Sequence, residues 1–221
     1  MKHLIFDSGP LINFSMNGIL PILRKLKHEF KGDFLITKEV KQEIIDTPLN
    51  IKRFELGAIQ LKALFEEGVI KHANINEHEV QRLREIREFL MQTANSTFRA
   101  NEKDIHLLDK GECAALALCS ILKDECTLVI DERTTKMLCE NPENLRKLLQ
   151  KKLKTSVKAN RENYKHFKDY KIIRSTELAY IAHKKGLIDL KDPRAYEAML
   201  YGLKYKGCSI SEEEIEEMKG L

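Results

Sequence analysis

Apolar and polar positions divide this chain into short buried runs separated by helical periodicities. His3 to Phe6 is a short, mainly apolar run that stops at Asp7; Ser8-Gly9-Pro10 follows, then an apolar stretch through Leu20. That order predicts a strand, a tight turn and a helix with Pro10 in its first turn, where a missing N–H costs nothing. Phe34-Leu35-Ile36 reads as a second buried strand, with Thr37 as N-cap of a helix over Lys38 to Ile45 that Pro48 ends. Ile51 to Phe65 and Glu77 to Met91 have helical periodicity, with strand or loop over Gly68 to Ala73 between them and a flexible connection over Thr93 to Lys103. Asp109-Lys-Gly-Glu112 opens an apolar helix from Cys113 to Leu122, and the β-branched run Thr127 to Ile130 is a buried strand ending at Asp131. A further helix starts near Arg133, Lys171 to Arg174 fits a last strand, and the remainder is helical, its final helix opened by the capping pattern Ser211-x-x-Glu214. Strands alternating with helices predict an α/β fold around a mostly parallel sheet over residues 1–175, with a helical insertion at about 47–105 and a helical C-terminal extension over 176–221.

Composition narrows the setting. The chain has 221 residues, 33% of them charged, and no apolar run approaches the ~18 residues of a membrane span. The opening Met-Lys-His-Leu-Ile-Phe-Asp meets an acid too early for a signal peptide, and the five cysteines form no C-x-x-C pair, so a cytoplasmic protein without disulfides or a zinc site is expected. The net charge is only +4, but it is unevenly spread: Arg146 to Lys171 holds ten bases against two acids. Lys151, Lys152, Lys154, Lys158, Arg161 and Lys165 in this run are candidate contacts to nucleic-acid phosphates, with Tyr164, Phe167 and Tyr170 interleaved as stacking faces. The competing reading is a solvated surface with the three aromatics packed inward.

The acids at the strand ends carry the candidate chemistry. Asp7 and Asp131 end predicted strands, Glu43 lies in the helix after the second strand, and Glu112 lies in the first turn of the helix preceding Asp131. Ligands of such sheets bind beyond the carboxyl ends of the strands, so the four can converge. A cluster of carboxylates repels itself unless a hard divalent cation, Mg²⁺ or Mn²⁺, resolves the conflict. Each acid also has a structural reading. Asp7 fits a helix cap, Asp109 and Glu112 a capping pair, Glu43 an exposed helix acid with Glu39 as its rival, and Asp131 a partner of Arg133. Other chemistries lack their parts: Gly9 stands where a haloacid-dehalogenase-type phosphatase needs a second Asp, and G-x-G-x-x-G, a P-loop and G-x-S-x-G are absent.

The ordered set resembles the PIN domain family of metal-dependent ribonucleases. Leu4-Ile-Phe-Asp7-Ser-Gly-Pro-Leu-Ile12 is similar to its first motif, Ile36-Thr-Lys-Glu-Val40-Lys-Gln-Glu43 to its second, Leu108-Asp-Lys-Gly-Glu112-Cys-Ala-Ala-Leu-Ala117 to its third in a Gly-Glu variant, and Leu128-Val-Ile-Asp131-Glu-Arg133 to its fourth. The resemblance implies a three-layer fold and an endonuclease acting on single-stranded RNA through metal-activated water. Asp7, Glu43, Glu112 and Asp131 would be the catalytic and metal-binding acids and Ser8 a polar neighbour, with Asp109 or Glu132 a supporting acid. It implies RNA as partner, homodimers among relatives, and, as alternatives, a silent RNA- or protein-binding module or a toxin held by an antitoxin-like protein. The long insertion and the basic run distinguish this chain from compact toxin members.

Overall fold

The computed structural model describes residues 2–122 and 125–220. In chain order the elements are β1 (Lys2–Phe6), α1 (Ser8–Met16), α2 (Leu20–Glu29), β2 (Gly32–Ile36), α3 (Lys38–Lys41), α4 (Glu55–Glu66), β3 (Lys71–His72) and α5 (Glu77–Asn95). Then come β4 (Phe98–Ala100), β5 (Lys103–Asp104), α6 (Lys110–Leu122), β6 (Glu125–Val129), α7 (Arg133–Glu140), α8 (Pro142–Leu153), β7 (Val157–Ala159) and β8 (Ile172–Ile173). The helices α9 (Ser175–Lys184), α10 (Ala195–Tyr205) and α11 (Glu212–Gly220) follow. The main sheet is five-stranded and wholly parallel, in the order β3-β2-β1-β6-β8.

Helices cover both faces, which explains why β1, β2 and β6 read as continuous apolar runs rather than alternating ones. Leu4 and Phe6 of β1 enter a core with α1, α2 and the three C-terminal helices, whereas Ile5 enters one with α5, α6, α7 and α8. The tail therefore shares a hydrophobic core with β1: Leu178, Ala182, Leu200, Leu203 and Ile215 are buried beside Phe6 and Phe14. Its last helix has the capping box read from Ser211 and Glu214, with reciprocal bonds of 2.9 and 3.1 Å. No helix among the described residues is long and apolar enough to cross a membrane.

One expectation needs correction. The connection over Thr93 to Lys103 is made of regular elements. α5 runs on to Asn95, and β4 and β5 form a hairpin whose two turn residues, Asn101 and Glu102, both have positive φ (50° and 61°), the requirement of a tight hairpin turn. The hairpin joins β7 as a second, antiparallel sheet. Within the reading of strand or loop over Gly68 to Ala73, the structure has a strand: β3 adds to the edge of the main sheet beside β2. A two-residue strand is too short to show a period of its own.

Candidate functional site

The direction of sheet growth changes between β1 and β6: β2 and β3 extend one side, β8 the other. At such a switch point the carboxyl ends of neighbouring strands open a crevice. Asp7 and Asp131 stand there, the Asp7 N–H donating to the Val129 carbonyl at 3.0 Å. Small residues let the other acids approach. A Cβ on Gly9 would lie 3.8 Å from Asp7 Oδ2 and 3.8 Å from the Asp131 Cβ, and one on Gly111 would lie 3.8 Å from both Asp7 Oδ1 and Glu43 Oε2. Glu43 reaches this point from a π turn, Gln42–Asp46, that continues α3; the Thr47 N–H bonds back five residues to Gln42 O at 2.9 Å. Such insertions re-aim side chains and recur at functional sites. Ser8 Oγ donates to Glu43 Oε1 at 2.9 Å. Glu112, in the first turn of α6, accepts from the Thr135 hydroxyl and from the Asp109 N–H.

The electrostatics are lopsided. Among the described residues no Lys, Arg or His pairs with Asp7, Glu43, Glu112 or Asp131. Burial above all pushes Asp7 up to about 6, with repulsion from Glu43 and Asp131 adding to it against the pull of the Ser8 and Gly9 N–H groups. Burial likewise pushes Glu112 up to about 7; the bonds from Thr135 and Asp109 oppose this and the Asp7 charge adds to it. Asp131 is also raised by burial, although it has the richest donor set of the four. Its Oδ1 accepts from the Ser175 N–H at 2.7 Å, and its Oδ2 accepts from Ser175 Oγ at 2.9 Å and Asn13 Nδ2 at 2.5 Å. Its own carbonyl accepts from the Ser209 N–H at 3.0 Å. Arg174 ties these two tail segments together, donating to Ser209 O at 2.9 Å while pairing with Glu177 and Glu214.

The four acids and Ser8 are thus brought to one crevice, whereas the two supporting acids are exposed at its margin. Asp109 is 83% exposed at its side chain and bonds His106 at 2.8 Å. Glu132 is exposed and accepts from Thr134 at 3.0 Å. Glu39, the rival of Glu43, is bound to Arg87 at 2.5 Å. Asp7 occupies the N-cap position of α1 without a side-chain capping bond, and Asp131 makes no ion pair with Arg133.

In the basic run, Tyr164 and Phe167 are buried in the core and Tyr170 is half-buried with its hydroxyl 2.7 Å from Ser120 Oγ, so these aromatics pack inward and offer no stacking faces. Lys158 pairs with Glu102, Arg161 with Glu143 and Lys165 with Glu162, whereas Lys151, Lys152 and Lys154 are exposed without an ion-pair partner among the described residues.

Asn13, Thr135 and Ser175 are the residues that sequence reasoning missed. A lone amide inside the apolar run Leu11 to Phe14 was a usable signal for Asn13; Ser175, 44 positions from Asp131, had none. Among the described residues no three His, Cys, Asp or Glu side chains are placed to hold a metal ion, and Glu43, Glu112 and Asp131 direct oxygens to Ser8, Thr135, Asn13 and Ser175. The donor chemistry nonetheless suits a hard cation: three buried carboxylates, an exposed fourth at Glu43, a hydroxyl neighbour and no competing positive side chain. A cavity of about 470 Å³, lined by Cys119, Glu125 and Lys171 at the amino ends of β6 and β8, lies away from this crevice.

A family model described as a PIN domain (DUF3368) matches residues 3–143, a span that holds all four acids. No curated protein and no solved structure matches the chain.

Proposed function

Because the chain belongs to the PIN domain family, whose members are typically metal-dependent nucleases, we propose that it is a Mg²⁺- or Mn²⁺-dependent endoribonuclease acting on single-stranded RNA. The observation that carries this reading is the convergence of four carboxylates with no cationic side chain to neutralise them. A structural acid cluster would be expected to recruit Lys or Arg, as the rest of this surface does. Asp7, Glu43 and Glu112 would hold the cation. Asp131, whose Oδ2 already has two donors, has one lone pair of Oδ1 left to offer. A bound divalent ion supplies an activated water and a clamp on phosphate oxygens.

The protein's own groups set the geometry. Ser8 fixes the rotamer of Glu43, Thr135 that of Glu112, and Asn13 with Ser175 that of Asp131. Cleavage would leave 3′-hydroxyl and 5′-phosphate ends. Lys151, Lys152 and Lys154, free of ion pairs, would track the RNA backbone and fix position rather than sequence.

The test is cleavage of a mixed single-stranded RNA pool with Mn²⁺, run beside EDTA and Asp7→Asn controls. Cleavage that disappears in both controls is expected. RNA bound in a salt-sensitive way but never cut would replace this reading with a silent binding module.

A further inference from the structure

A second cavity, of about 220 Å³, opens at the carboxyl ends of β2 and β3, the same end of the sheet as the acids. Ile36, Ile75, Val80, Leu83 and Leu118 give it apolar walls. It is smaller than the ~300 Å³ at which drug-sized sites begin, so it suits one ring system rather than a whole ligand. Its polar groups fall into two kinds. Arg87 is paired, bound to Glu39 at 2.5 Å and Glu88 at 2.8 Å. Lys38 and Arg84 at the rim are exposed and have no ion-pair partner among the described residues. His72 Nδ1 lies 3.0 Å from the Ile36 carbonyl, which can only accept, so Nδ1 bears the hydrogen and Nε2 of the neutral ring is an acceptor.

The cavity is joined to the acid crevice by two helices. Glu39, on its wall, is one helical turn before Glu43. Leu118 lies six residues after Glu112 on α6, about 9 Å along that helix. A strand whose phosphate sits among the acids can therefore place a neighbouring nucleotide here. Resting on the nuclease reading above, we propose that this cavity is a nucleobase subsite: it takes the unpaired base flanking the scissile phosphate into its apolar slot, with Lys38 and Arg84 on the adjoining phosphate. Recognition of unpaired RNA works in this way, with bases splayed out from the backbone into pockets. The wall formed by α5 comes from the insertion between the second and third acid motifs, which gives that insertion a role in substrate choice.

The experiment measures cleavage kinetics of the full chain with Mn²⁺ on a short RNA whose cut site has been mapped, and on versions carrying one abasic residue at each flanking position. Two variants are compared: Arg84→Glu, at an exposed position, and Val80→Trp, which fills the slot, its folding checked by circular dichroism. The expected result is a KM raised about tenfold or more with kcat little changed, and Mn²⁺ affinity by calorimetry as in the unmodified protein. One abasic position should lose as much as the variants do, and that loss should vanish in Val80→Trp. If RNA is cut but both variants keep the original KM and every abasic position costs the same, the subsite is wrong and the nuclease reading stands. If the unmodified chain cuts no RNA, the nuclease reading falls and takes the subsite with it.

Discussion

Glu112 and Glu143 are both glutamates at the start of helices, yet their surroundings drive them in opposite directions. Glu143, on the basic surface, accepts from Arg161, Arg146 and the Tyr164 hydroxyl, and these bonds hold it down to about 2. Glu112, in the crevice, has only a hydroxyl and a backbone N–H as donors, and burial pushes it up to about 7. On the surface, charge is cancelled locally by side chains, as the pairs Lys158–Glu102 and Arg161–Glu143 show. In the crevice the protein withholds that cancellation. Sequence charge counts point to the basic run as the notable electrostatic feature, whereas the structure locates the larger imbalance in the crevice, where four acids meet no basic partner among the described residues.

Glu112→Gln should break this contrast most severely. It would lower cleavage on the order of 10³-fold, about 4 kcal/mol of barrier, in single-turnover gels. The metal-free protein would lose none of its stability, because glutamine mimics the protonated form that burial favours.

The contrast also predicts how stability follows pH. In the metal-free protein Asp7 titrates at about 6 rather than 3.8 and Glu112 at about 7 rather than 4.5, so between those values the folded state holds protons that the unfolded state has released. Their contribution is fully present below about pH 4 and is lost as pH rises to 7, roughly 1–3 kcal/mol per group. Thermal melts in EDTA should fall across this window, and Mn²⁺ at pH 8 should restore the loss. A flat profile would mean that the crevice acids are solvated.

Ser175→Ala sharpens the comparison at Asp131. Losing one of two donors on Oδ2 should cost about 1 kcal/mol in denaturant unfolding. It should also weaken Mn²⁺ binding about tenfold, with Ser175→Thr as the rescuing variant. The smallest effects belong to the basic surface. Replacing Lys151, Lys152 and Lys154 together by alanine should reduce the salt dependence of RNA binding, lowering the log–log slope by about 2. Lys158→Ala should change it less, since Glu102 already neutralises that charge.

What the sequence made legible follows from how local each signal is. The strand ends at Asp7 and Asp131 are marked by adjacent apolar runs, Thr37 caps α3 with a bond of 3.2 Å to the Val40 N–H, and the order of the four acids needs no contact to be recognised. The β4–β5 hairpin escaped because its turn is Asn101-Glu102, without the glycine that usually announces two positive φ values. The π turn under Glu43 escaped because its periodicity is that of an ordinary helix plus one residue. The supports of Asp131 depend on how the tail folds back, which no local pattern encodes.

The order in which Asp131 acquires its donors follows the direction of synthesis. Every motif acid and Asn13 have been polymerised before Ser175 and Ser209, and α9 to α11 must dock on β1 and α1 before those groups reach the strand end. At about 5–20 residues per second, the interval from Asp131 to Ser209 is several seconds of translation. A nascent chain halted before Ser175 would carry the whole acid motif and Asn13, and yet lack the Ser175 bonds to Asp131 and the three C-terminal helices that share the β1 core. The segment that follows the acid motifs thus completes a crevice that those motifs begin.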